Sequence, residues 1–326
     1  MKRLTLVLAV LSLSSLVYAQ EAEKDGFAAD FSVVSRLEVN GIPAESGVNL
    51  GSSALYLQGD GQFTKNLSFS FMLNPLNSEP ADLYNTTFRS DSFNWLNWAS
   101  LTYSFGDFSI TAGKSYFYTA TFEEDEYDYD SYSFLNTSVW NNFPIYQWGA
   151  QFGWQLSESF NMNLSAYTSP YGDHPFSSNR FGFAGVATME LSDMQAKVGA
   201  SLMQDGAGDW FPLLSAGVSA SVGPLSMTDD FYSKACDETL LFVDGFSNVF
   251  SCKYQQSETW NLALRFATDY YKTSVLNGFD YRIGLVGEYF PLDGLRVHAL
   301  AGYETGAVAE GFAFTAGLTY TFSFSL

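Results

Sequence analysis

From Gly311 to Leu326 the chain reads GFAFTAGLTYTFSFSL. Phe312, Phe314, Ala316, Leu318, Tyr320, Phe322, Phe324 and Leu326 are apolar, with Thr315, Thr319, Thr321, Ser323 and Ser325 between them. An apolar residue at every second position makes a β-strand with one oily and one wet face. The run is about twice the usual strand length of soluble proteins and suits a tilted crossing of a bilayer. Hydrocarbon does not tolerate an open sheet edge, so the strand implies a closed barrel.

The same alternation recurs upstream. Leu67, Phe69, Phe71 and Leu73 alternate with Ser68 and Ser70, and Trp148, Ala150, Phe152, Trp154 and Leu156 with Gln147, Gln151 and Gln155. The spacing predicts an all-β, antiparallel up-and-down barrel of about sixteen strands. In order, these are 27–40, 52–61, 66–74, 95–105, 107–116, 145–156, 160–168, 181–191, 194–204, 211–222, 224–233, 247–255, 259–270, 278–290, 294–304 and 311–325. Connections after the even strands are short, whereas most after the odd strands are long. Turns facing the periplasm and loops facing outside produce this contrast, and an even strand number puts both barrel termini in the periplasm. Two aromatic girdles are expected at the strand ends. They comprise Phe27, Phe105, Phe108, Trp154, Phe160, Tyr289, Tyr320 and Phe322 below, with Trp95, Tyr116, Tyr146, Phe181, Phe279, Tyr281 and Phe312 above.

The N-terminus reads as an export signal over 1–19. Lys2 and Arg3 precede the apolar stretch Leu4–Val17 and a small-residue site at Ala19. Residues 20–326 then form a single transmembrane barrel, with 20–26 as a short polar leader. Aromatics make up 17% and charged residues only 15% of the chain, against about 25% charged in a soluble domain. Loss of Lys2 and Arg3 takes the net charge from −20 to −22. Such acidity excludes nucleic acid as a partner, since phosphate binding needs clustered Lys and Arg. Cys236 and Cys252 are disulfide candidates in an oxidising compartment. Bridging them is worth about 3 kcal/mol by loop-closure arithmetic; two separate thiols are the alternative. No metal-ligand spacing occurs, and no cofactor is expected.

A barrel of about sixteen strands leaves a water-filled lumen, so function lies in what narrows and charges it. The longest connection, 117–144, carries FEEDEYDYDSYSF at 122–134. Folded inward, Glu123, Glu124, Asp125, Glu126, Asp128 and Asp130 would line a constriction; left outside, they form a solvated acidic surface. The frame of alternation points Arg36, Lys197, Lys253, Arg265, Arg282 and Arg296 into the lumen, and Lys114 could line the root of the loop. A basic wall opposite an acidic loop would set a transverse field across the bore. Alternatively, Asp30, Glu38, Asp280 and Glu288 also point inward and could pair with these bases. A barrel hydrolase would need a histidine with Ser or Asp partners. Of the two histidines, His174 reads as a loop-tip residue and His298 as a lone lumen-facing one, each better taken as a satisfied or solvated side chain than as a catalytic base.

LQGDGQFTKNLSFSF at 57–71, WASLTYSFGDFSITAGK at 98–114, NFPIYQWGAQ at 142–151 and NLSAYTSPYG at 163–172 carry a family resemblance. On these stretches the chain resembles an outer-membrane porin, and more narrowly the phosphate-selective-porin-like branch common in Bacteroidetes-type bacteria. The resemblance implies a sixteen-stranded barrel with a constricting third loop, usually in a homotrimer. Its partners would be outer-membrane lipid and lipopolysaccharide, with small hydrophilic solutes or ions passing by diffusion. The family's anion selectivity rests on basic residues lining the channel, whereas here the third loop is acidic. Porins usually end in an aromatic residue, whereas this chain ends in Leu326 after Phe324. A surface receptor or adhesin without an open channel is the competing class.

Overall fold

The structure, a computed structural model, describes residues 27–41, 53–75, 95–117, 119–123, 132–143, 145–171, 179–233, 245–272 and 276–326. The export signal, the acidic run 124–130, Cys236 and His174 lie outside the described residues.

Sixteen antiparallel strands close on themselves. They are β1 (Ala28–Gly41), β2 (Ala54–Thr64), β3 (Leu67–Leu73), β4 (Leu96–Phe105), β5 (Phe108–Tyr116), β6 (Tyr146–Ser157), β7 (Phe160–Thr168) and β8 (Phe181–Leu191), followed by β9 (Met194–Gln204), β10 (Trp210–Val222), β11 (Leu225–Ser233), β12 (Gly245–Ser257), β13 (Trp260–Lys272), β14 (Asn277–Leu292), β15 (Leu295–Gly306) and β16 (Gly311–Ser325). Each pairs with its sequence neighbours, and β1 pairs with β16 to seal the sheet. At that seam Leu326 N donates to Ala29 O at 2.8 Å and Ala29 N to Leu326 O at 3.2 Å. Two-residue connections join β2–β3, β4–β5, β6–β7, β8–β9, β10–β11, β12–β13 and β14–β15. Gly106 and Gly223 supply positive φ in two of them, the conformation that tight hairpins need.

The alternation sorts side chains between two surfaces. Outward lie large apolar groups such as Leu101, Phe183, Val198, Ile283, Phe312 and Phe322, all exposed. This continuous band is the surface that hydrocarbon, rather than water, would stabilise. Stacked rings lie along its lower edge, as in the run Tyr103, Phe105, Phe108 and Trp154. Tyr116 and Tyr146 depart from the girdle expectation. They pack instead against the cluster of Phe117, Trp140, Phe143 and Tyr167, because the connection between β5 and β6 brings Trp140 and Phe117 to them and offers aromatic burial.

Asp229 breaks the apolar band. It sits mid-strand in β11 opposite Val218 and Phe250, both exposed on the outer surface, and accepts from Asn248 Nδ2 at 2.8 Å. Asp229→Leu is expected to raise heat resistance by about 1–2 kcal/mol, since an outward carboxylate at mid-bilayer is unfavourable. The temperature at which gel mobility changes would report it, and a fall would show that the carboxylate is needed there.

Candidate functional site

The connection between β5 and β6, the third to follow an odd-numbered strand and so the third loop, lies against the inner wall in both of its described limbs. A row of inward glycines makes room for it. A Cβ built on Gly182 would stand 2.8 Å from the Phe117 ring, on Gly199 2.9 Å from Ala120 Cβ, and on Gly217 2.9 Å from the Phe122 ring. On the far side it would stand 2.6 Å from Leu135 at Gly284 and 2.5 Å from Phe134 at Gly302. The first limb therefore crosses β8, β9 and β10, and the second crosses β14 and β15. Leu135 and Phe134 join Ala263, Val286, Leu300 and Ala313 in a buried apolar cluster. Burial of such side chains supplies most of the attraction.

Polar wall groups fix the first limb. Ser215 Oγ accepts from Ala120 N at 2.8 Å, and Asp230 Oδ1 from Phe122 N at 2.9 Å. Lys197 Nζ donates to Thr121 O at 3.1 Å and stands 4.2 Å from the centre of the Phe122 ring. These contacts satisfy backbone groups that would otherwise be buried without partners.

Glu123 joins the two limbs to each other and to the wall. Its Oε1 accepts from Thr137 N at 2.6 Å and from Arg265 Nη2 at 2.8 Å. Its Oε2 accepts from the Thr137 hydroxyl at 2.9 Å and from Tyr232 OH at 3.1 Å. Both side chains of the Glu123–Arg265 pair are shut from water. Thr137 also caps a five-residue helix, α1 (Ser138–Asn142), by accepting from Trp140 N. Carboxylates meet the otherwise unpaired N–H groups at that helix start, with Asp269 taking Ser138 N at 3.1 Å and Ser138 Oγ at 2.7 Å.

Further ion pairs surround this clasp. Arg282 bonds Asp269, lies 3.6 Å from Asp280, and donates to Asn136 O at 2.6 Å. Arg296 pairs with Glu288 at 3.2 Å, and Tyr132 OH donates to the same carboxylate at 2.8 Å. His298 is not lone, contrary to the sequence reading. Its Nε2 lies 2.9 Å from Glu38 Oε2, with both side chains fully buried, and the Tyr132 ring meets it edge-on. Glu38 and His298 are brought together by the β1–β16–β15 seam, which parity within one strand does not reveal.

The inward bases thus occupy defined places. Arg265, Arg282 and Arg296 are paired with carboxylates, Lys197 holds the loop backbone, and Arg36 donates to Tyr56 OH at 3.3 Å while lying over its ring. Lys114 is buried at the loop root with Nζ on Leu96 O at 2.7 Å. Lys253, half-buried on β12, is inward by alternation with Ser251. Cys252 lies on the opposite, outward side of β12, opposite Met227 and Leu264; no described residue is bonded to its sulfur. Three of these bases, Arg265, Arg282 and Arg296, are thus paired with carboxylates among the described residues. Asp230, Tyr232, Asp269 and the wall glycines were not singled out by sequence reasoning. Their inward parity was available, but their loop partners lie too far away in sequence to be inferred.

No family model and no curated protein matches the chain. Solved structures do. The outer membrane channel DcaP of Acinetobacter baumannii superposes with a TM-score of 0.65 at 12% identity, covering 93% of this chain and 100% of that one. The anion-selective porin from Comamonas acidovorans gives 0.62 at 12%, covering 90% and 99%. OmpT of Vibrio cholerae in a trimer form gives 0.60 at 12%, covering 91% and 100%. At such identities the likeness establishes a shared barrel fold.

Proposed function

We propose that this barrel is an outer-membrane diffusion channel for small hydrophilic solutes or ions, constricted by its third loop, and not an enzyme. The observation that carries the reading is the glycine-cut, ion-paired seat on which both loop limbs rest inside a sixteen-stranded wall. A barrel that merely displays loops outward has no use for such a seat. Between the two limbs, Glu124, Asp125, Glu126, Asp128 and Asp130 would lie where the bore narrows. Glu123 is excluded from that role because Arg265 neutralises it. An exported precursor cleaved after Ala19, periplasmic termini and a homotrimer in lipid and lipopolysaccharide fit the same reading. His298 is shut from solvent, which does not suit a hydrolase.

Purified protein in a planar bilayer is expected to give stepwise current in KCl. Under a salt gradient the reversal potential should show cation preference. Glu124→Gln, Asp125→Asn, Glu126→Gln, Asp128→Asn and Asp130→Asn together should move it toward zero, because fixed carboxylates set ion preference in a narrow pore. No current would refute the channel; an unmoved potential would take the acidic run out of the constriction.

A further inference from the structure

Apart from the ends of β5–β7 that pack with Trp140 and Phe143, the wall that the described limbs of the loop leave uncovered differs in chemistry from the wall that they cross. Inward positions of β8–β15 crossed by the loop are mostly buried. Those of β3–β7 are largely half-exposed and carry hydroxyls and amides. They stand in register. Ser68, Thr102, Thr111 and Gln151 face one another across β3 to β6, and Ser104, Ser109, Gly153 and Asn163 form a second row across β4 to β7. A third row is Asp60, Ser70 and Ser100. Along the rows, neighbouring groups are about 4.8 Å apart, the strand spacing. Above the third row stands Trp98, half-exposed, its Nε1 donating to Ser70 Oγ at 2.8 Å and its ring 5.3 Å from that of Tyr146. The one charged side chain on β3–β7, Lys114, is buried at the loop root.

From this lateral separation of charge we infer that the channel passes uncharged, polyhydroxylated solutes of saccharide type along the β3–β7 wall. The inference rests on the channel reading above and names its substrate class. Hydroxyls and amides both donate and accept, so each row can replace the water stripped from a polyol's hydroxyls as it slides. The flat Trp98 and Tyr146 rings offer an apolar surface to the C–H side of a sugar ring. An anion of equal size loses hydration on the same path and meets no exposed cationic side chain on β3–β7, while the carboxylate of Asp60 at the edge of the third row repels it. The arginines of the opposite wall are already engaged with carboxylates.

The test uses purified protein in neutral liposomes, with glucose and gluconate as size-matched probes, alongside KCl conductance of the same preparation. Glucose entry is expected to exceed that of gluconate by about tenfold, the factor that about 1.4 kcal/mol carries. Thr102→Val, Thr111→Val and Gln151→Leu combined should lower glucose entry relative to KCl conductance in a barrel whose gel mobility remains heat-modifiable. If KCl current is present but gluconate enters as fast as glucose, the inference is overturned and the channel stands. An unchanged glucose-to-KCl ratio in the folded triple variant overturns it likewise. Absence of KCl current from the wild type overturns both.

Discussion

Glu123→Ala is expected to unseat the third loop, raising mean single-channel current and its noise while the barrel persists. In the wild type this carboxylate accepts from Arg265, Thr137 twice and Tyr232. Removing it takes from the buried Arg265 guanidinium the carboxylate that it bonds, and breaking one half of a buried pair costs about 3–5 kcal/mol. That loss falls on the loop more than on the sheet, because Arg265 belongs to β13, which is held by antiparallel ladders on both edges. Two further variants separate charge from tethering. Glu123→Gln keeps an acceptor for Thr137 and Tyr232 and should give an intermediate current. Arg265→Met combined with Glu123→Ala removes both halves of the buried pair, so thermal stability should recover while the current stays high. A current equal to wild type in Glu123→Ala would mean that the clasp does not hold the loop.

Gly284→Leu should displace the second limb by volume alone. A Cβ at this position already stands 2.6 Å from Leu135, and Leu135 is fully buried. Overpacking a filled interior costs about 1–3 kcal/mol, and the side chain that can yield belongs to the loop, not to the wall. Current should therefore rise with no change in heat-modifiable mobility. The reciprocal swap, Gly284→Leu with Leu135→Gly, should restore much of the wild-type current, because it returns volume to the same space. Failure of the swap alongside a raised current in the single variant would point to a distorted β14, not a displaced loop.

The strands were legible because each records its own two surfaces. β16 follows Phe312 to Phe324 at every second residue, and even the weakly patterned β12 runs from Gly245 to Ser257, close to the expected 247–255. Bases and carboxylates could be assigned to the lumen by the same parity. What parity does not carry is pairing between distant segments. Glu123 meets Arg265 142 residues away, and Phe122 meets Asp230 108 residues away. Nothing in either strand marks the loop residue that it receives. The glycines were a partial signal, since an inward glycine in a strand often marks a close approach of another segment. Tyr116 and Tyr146 were assigned to a girdle because both lie at strand ends, yet tertiary packing with Trp140 placed them elsewhere. Asp229 went unnoticed in the reading because its alternation is correct in period and wrong only in polarity.

The seam between β1 and β16 sets the timetable of biogenesis. Asp30 and Ser325, partners across it, are 295 residues apart, so the earliest-made strand must wait for nearly the whole chain before its free edge is covered. Long-range pairing of that kind is slow, and an uncovered strand edge invites adhesion to other chains. Cells making this molecule must therefore shelter its leading strand throughout transit, and a ribosome stalling even slightly short of the last strand would release a sheet unable to close.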